Sequence, residues 1–329
     1  MKQKYWNLSL YRLLACLVIL TFHIFYIYIN KQLSFEYLLS KPVQGLTALS
    51  GFLYAGRVIT SKKKFYVNNI VKIVVPALMC LSIFALYNLV FMLITQNYDY
   101  LSLWTGQRAF EGRFLMQFDN YYYLGYIILC YLITPFITNK GHLRRIIIAS
   151  VFILEASLAF FLNIAPIAIC YFVGYLIGEK FKNEYVDTSL KYKPYILMQW
   201  ILLTALTFVL FSLAFFVFKS DVYILSHLSH LLEQLSASAF GIASFFLLIY
   251  IFRFLNKFGN IPLFNFTDKW TYPVYLFNQA FMIGGMNVTL YVDNEVFKII
   301  FIILFTLVFA SIVTLLNRYL PLEKKLMLK

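Results

Sequence analysis

Hydrophobic and polar positions in this chain alternate by whole segments. Runs of about 20 mostly apolar residues follow one another, separated by short polar or basic stretches. A run of that length crosses a bilayer as an α-helix, because in hydrocarbon every backbone N–H and C=O must find its partner inside the segment. The pattern predicts ten such helices, at about 8–29, 43–59, 68–95, 121–138, 146–163, 165–179, 195–218, 235–255, 271–291 and 297–317. The sixth run is short, opened by Pro166 and punctuated by Gly174 and Gly178, which marks it as tilted, broken or re-entrant. The longest polar interruption, residues 96–120, separates the third and fourth runs. No internal repeat, low-complexity linker or appended soluble domain is visible, so the expectation is one all-α integral membrane domain over residues 1–329.

Composition agrees with that pattern. Of 329 residues, 62% are hydrophobic and only 13% are charged, more apolar surface than a soluble domain of this length can use. The formal net charge of +14 would suit a nucleic-acid binder if the basic residues were clustered on one surface. Their distribution instead follows the spans. With the N-terminus cytoplasmic, nineteen Lys and Arg fall on the inner side and six on the outer, with Arg12, Arg57 and Lys72 at or inside span ends. This is the asymmetry of the positive-inside rule. It predicts both termini in the cytoplasm, a multi-pass protein whose partner is the lipid bilayer, and no nucleic-acid partner. The first run is too long for a signal peptide and lacks a small-residue cleavage site, so it reads as a retained span. Cys16, Cys80, Cys130 and Cys170 sit in apolar runs without paired spacing and read as core thiols, not metal ligands.

Ionisable groups inside spans are costly and are candidates for function. The first span carries Arg12 and His23, eleven positions apart. That is about three turns, so both lie on one helix face, roughly 16 Å apart along the axis. A histidine at that depth serves either as general acid or base or as a hydrogen-bonded packing group. Arg12 either snorkels to the membrane edge or presents its fork to a phosphate. In the second span, Ser50-Gly51-Phe52-Leu53 allows close helix packing, and Arg57 is a topology anchor or a further phosphate ligand. Glu155, midway along the fifth span, must be protonated or paired, and could orient His23 as a triad carboxylate does. Residues Phe118 to Leu124 form an outer aromatic belt or a sugar-stacking platform. His227 and His230 have metal-compatible spacing without further ligands, and no phosphate loop or dinucleotide fingerprint is present.

Several motifs together resemble acyltransferase family 3, the polytopic membrane acyltransferases of cell-surface polysaccharides. Arg12 and His23 match its Arg-x10-His signature. Leu49-Ser50-Gly51-Phe52-Leu53 with Arg57 resembles its SGFL segment, and Phe65 to Pro76 its basic F…RxxRxxxP segment. Tyr122-Tyr123-Leu124 with Pro135 resembles WYL…P. Phe172 to Gly178 is similar to FxxGYxxG, and Thr271 to Leu276 to SYxxYLxH. In order and spacing these cover nearly the whole chain. The departures are Asn69 and Lys72 at the RxxR arginines, Asn278 where a second histidine is common, and Tyr122 for a tryptophan.

The resemblance implies a membrane O-acetyltransferase of a bacterial plasma membrane, using cytoplasmic acetyl-CoA as acyl donor and no metal. Its acceptor would be a hydroxyl of a polysaccharide or lipid-linked glycan, as in capsule or exopolysaccharide O-acetylation. His23 would act as general base, with Glu155 and Ser50 assisting catalysis. Arg12, Arg57 and Lys72 would hold the donor's phosphates, and Tyr122, Tyr275 and Asn278 would line the acceptor site. A homo-oligomer stays open. So do a longer acyl group, direct transfer against an acyl-histidine, and a competing class, a glycan or lipid-linked sugar transporter or flippase.

Overall fold

The computed structural model describes residues 5–25, 39–96, 122–138, 140–216, 223–258, 262–277, 280–282, 292–320 and 322–328. Regular structure among them is helical throughout: α1 (Trp6–His23), α2 (Pro42–Tyr54), α3 (Lys62–Thr95), α4 (Tyr122–Ile137) and α5 (His142–Leu162). There follow α6 (Ile167–Val186), α7 (Pro194–Phe216), α8 (Tyr223–Ile251) with a 3-10 extension over Phe252–Lys257, α9 (Pro262–Phe277), α10 (Glu295–Tyr319) and a short α11 (Leu322–Leu326). Every run read from the sequence therefore contains a helix. Six helices among the described residues are long and apolar enough to cross a membrane: α1, α3, α5, α7, α8 and α10.

The ends differ from the sequence reading for local reasons. Helix α2 has only 13 residues and stops at Tyr54, because Ala55 leaves the helical region with ψ 132°. Helix α3 starts six residues earlier than the apolar run, at Lys62, where the Ser61 hydroxyl accepts from the Lys64 N–H at 3.3 Å. Helix α8 starts at Tyr223, twelve residues before the expected 235. Leu225, Leu228 and Leu232 make an exposed apolar stripe there, and the polar residues between them hid it from a run-based reading. Helix α9 likewise begins at Pro262, a residue suited to a first turn, before the expected 271.

The chain divides into two compact units. The first comprises residues 1–18, 37–60 and 129–265; the second, residues 19–36, 61–128 and 266–329. In the first, Leu8 and Tyr11 of α1, Phe52 of α2, Tyr185 of α6 and Phe245, Phe246 and Tyr250 of α8 form one buried core. The Phe52 ring lies 5.9 Å from Tyr185, 6.2 Å from Phe245 and 5.8 Å from Phe246. Helices α2 and α6 meet backbone to backbone. A side chain at Gly51 would collide with the Tyr171 carbonyl, and one at Gly174 with the Ala48 carbonyl. Small residues at such crossings substitute dispersion contact for the hydrophobic drive that lipid removes.

Polar groups knit one end of this unit. Asn7 donates to the carbonyls of Tyr185 (2.9 Å) and Ile249 (2.8 Å). Arg144 makes a two-pronged ion pair with Glu179 at 3.1 and 2.8 Å, joining α5 to α6. The outer surfaces are apolar: Ile153, Leu154 and Phe161 of α5 and Met198, Leu202 and Leu206 of α7 are all exposed. Large side chains facing outward along whole helices are what a hydrocarbon surround requires.

The second unit packs aromatic rings between α3, α9 and α10. Phe277 lies 5.0 Å from Phe84 and 5.8 Å from Phe309, and Phe281 lies 5.2 Å from Phe309. The Tyr272 hydroxyl donates to the Ile73 carbonyl at 3.0 Å, and the Trp270 ring N–H to Ser311 Oγ at 3.0 Å.

Candidate active site

The charges of Arg57, just past α2, and of Arg12, on α1, both bear on the Tyr54 phenol at the C-terminal end of α2. The Arg57 guanidinium sits over the Tyr54 ring at 4.8 Å, a cation–π contact. Tyr54 in turn packs edge-on to Tyr131, ring centres 5.0 Å apart, and the two hydroxyls are hydrogen-bonded. A third cation joins them. Lys182, beyond the apolar part of α6, donates to the Leu53 carbonyl at 3.2 Å and lies 5.7 Å from the Phe52 ring. Burial and the Arg57 charge lower its pKa to about 8. Arg12 and Arg57 thus act on one phenol and Arg57 on Lys182, which gathers three cations about the end of α2 in the first unit, able to hold phosphate groups.

The sequence reading had counted Lys182 as a topology charge only. A usable signal was present: Gly174, Gly178 and Lys182 stand at i, i+4 and i+8, so the lysine shares the helix face that the two glycines press against α2.

His23 ends α1 and belongs to the second unit. It is 8% exposed, with its ring 5.0 Å from Phe22 in an edge-on contact. Lys72 lies in the second unit too, on the exposed side of α3. It lines a cavity of about 320 Å³ together with Lys269, Tyr272, Asn317, Arg318 and Glu323. Asn317 donates to Glu323 Oε1 at 2.6 Å. The cavity therefore sets three cations from three helices against one carboxylate. Asn69, at the other RxxR position, is buried and donates to the Phe65 carbonyl of its own helix at 2.7 Å.

Among the acceptor-side candidates, Tyr275 is buried with its ring 5.5 Å from Tyr123, which joins α4 to α9 inside the second unit. Tyr122 opens α4, and Asn278 lies outside the described residues.

Glu155 and Ser50 are committed locally. Glu155 Oε1 accepts from the Ala168 N–H at 2.9 Å and Oε2 from the Ile169 N–H at 2.6 Å. The carboxylate thereby caps the first turn of α6, where N-cap Pro166 supplies no side-chain bond. The Ser50 hydroxyl donates to Leu46 of its own helix at 3.1 Å. His227, of the weak metal pair, holds its Nδ1 2.9 Å from the Phe160 carbonyl.

No curated protein and no solved structure matches this chain. The family described as an acyltransferase domain, acyltransferase family 3, matches residues 5–315. With a match over nearly its whole length, a helical fold rich in membrane-crossing segments and a buried histidine on the same helix as an arginine, the chain belongs to that family and is a membrane acyltransferase.

Proposed function

We propose that this enzyme moves an acetyl group from cytoplasmic acetyl-CoA to a hydroxyl of a cell-surface polysaccharide or lipid-linked glycan in a bacterial plasma membrane, with both its termini in the cytoplasm. The observation that carries the reading is the layout of α1. Arg12 stands in a cluster with Arg57 and Lys182, and eleven residues further along the same helix comes the buried His23. An extended pantetheine arm is of the order of the roughly 16 Å between those positions.

In this mechanism Arg12, Arg57 and Lys182 hold donor phosphates by charge-assisted hydrogen bonds. His23, neutral, takes the proton from the acceptor hydroxyl as the oxygen attacks the thioester carbonyl. The C–S bond then breaks, the thiolate leaves with a proton, and the ester stays on the glycan. Tyr122, Tyr275 and Asn278 flank the acceptor. Glu155 and Ser50 take no step, since their polar atoms already serve the backbone.

The test is proton NMR of surface polysaccharide from cells carrying the intact protein or His23→Ala. Loss of O-acetyl signals with polymer yield and length unchanged is expected, because losing a general base costs about a hundredfold or more in rate. Loss of the polymer itself would assign the protein to export, and unchanged acetylation would remove His23 from the chemistry.

A further inference from the structure

A cavity of about 430 Å³ lies between α6 and α7 in the first unit, away from the Lys182 face of α6. Its walls are apolar and aromatic, chiefly Ile177, Phe181, Trp200 and Leu203. Its polar edge is an ion pair: Lys193 Nζ lies 2.6 Å from Glu184 Oε1. The other carboxylate oxygen, Glu184 Oε2, is buried and receives no hydrogen bond. A buried carboxylate oxygen without a donor costs free energy, and a ligand that supplies one recovers it.

The ion pair is held in place by rigid neighbours. Arg253 donates to the Glu184 carbonyl at 2.6 Å and to the Leu190 carbonyl at 2.9 Å. The Tyr250 hydroxyl accepts from the Lys193 N–H at 2.7 Å and donates to the Lys193 carbonyl at 3.0 Å. The Trp200 ring N–H, which would otherwise compete for a ligand, is satisfied by the Tyr185 hydroxyl at 2.7 Å. Both charged residues thus have their backbones fixed before any ligand arrives, which lowers the ordering cost of binding.

An apolar trough ending in a cation and an under-satisfied carboxylate matches an amphiphile whose head carries a phosphate beside an N–H-bearing ammonium. We propose that this groove binds one molecule of an amine-headed phospholipid of the phosphatidylethanolamine class. Its acyl chain lies along Ile177, Phe181, Trp200 and Leu203, its phosphate meets Lys193, and its ammonium pairs with the Glu184 carboxylate at the edge of the groove. This rests on the membrane reading of the fold and is independent of the donor and acceptor assigned above.

The experiment is native mass spectrometry of the full-length protein in detergent, with equimolar dioleoyl phosphatidylethanolamine, phosphatidylcholine and phosphatidylglycerol and no acyl donor. The unsubstituted protein is expected to retain one phosphatidylethanolamine with about a tenfold preference over the other two. That is the worth of an ammonium-to-carboxylate hydrogen bond charged on both sides, which a trimethylammonium cannot make and which a neutral glycerol hydroxyl replaces with a weaker one. Glu184→Gln should still bind lipid, with the preference reduced to about twofold or less. Leu203→Trp, which fills the groove, should abolish retention of all three. Equal retention of the three lipids by the unsubstituted protein, a test that needs no variant, would overturn the proposal. So would an undiminished preference in Glu184→Gln. Because no donor is present, a failure of the acyl-transfer mechanism leaves these outcomes unchanged.

Discussion

Glu155 offers a sharp test, because a carboxylate midway along a transmembrane helix invites a catalytic reading and its geometry gives another. Its two oxygens accept from the backbone N–H groups of Ala168 and Ile169 at 2.9 and 2.6 Å, and the residue is 4% exposed. Replacing it by alanine leaves both donors of the α6 first turn unpaired and removes a negative charge from a helix N-terminus. Each buried orphan costs about 1–3 kcal/mol, and the helix is expected to lose about 2–5 kcal/mol in all after partial rehydration. Glutamine keeps one acceptor and should cost about 1–3 kcal/mol. The measurement is thermal unfolding of the purified protein by fluorescence-detected size exclusion, paired with acyl transfer well below the unfolding midpoint. The expected order of midpoints is Glu, Gln, Ala, with turnover per folded molecule near normal for Gln. An alanine variant that melted like the parent yet lost turnover would refute the capping argument and place Glu155 in the chemistry.

Other predictions follow from the same contacts. Lys182 titrates near pH 8 in the folded protein and has an ordinary value of 10.5 when exposed. As pH rises through about 8 the folded protein loses that cation, so the KM for the proposed acyl donor should rise roughly fivefold, the worth of one partly exposed ion pair. Lys182→Arg should flatten the rise. The linkage runs the other way for stability: between about pH 8 and 10.5 the unfolded chain binds the extra proton, so that one group makes the fold more stable as pH increases, readable as a rising unfolding midpoint. Gly174→Ala would force a methyl into the Ala48 carbonyl and should lower the unfolding midpoint by an amount equivalent to about 1–3 kcal/mol, whereas Gly125→Ala meets no atom within 4 Å and should be near neutral.

The helices were legible in one dimension because the bilayer makes them so. A span satisfies its own backbone, and each apolar run therefore declares a helix without reference to the rest of the chain. The same holds for Arg12 and His23, whose shared helix follows from a spacing of eleven. Helix ends were less legible wherever an amphipathic turn carried polar residues, as at Tyr223–Leu232, since a run-based reading sees polarity and stops. What no local pattern contains is the identity of neighbours. Lys182 meets Leu53 across 129 positions, Arg253 grips the carbonyl of Glu184 across 69, and Glu155 reaches over a turn to cap a helix thirteen residues on. Those pairings were decided by tertiary structure. Close crossings such as Gly51 on Tyr171 set which helix faces meet, and only then does a buried cation or carboxylate acquire the partner that gives it a role.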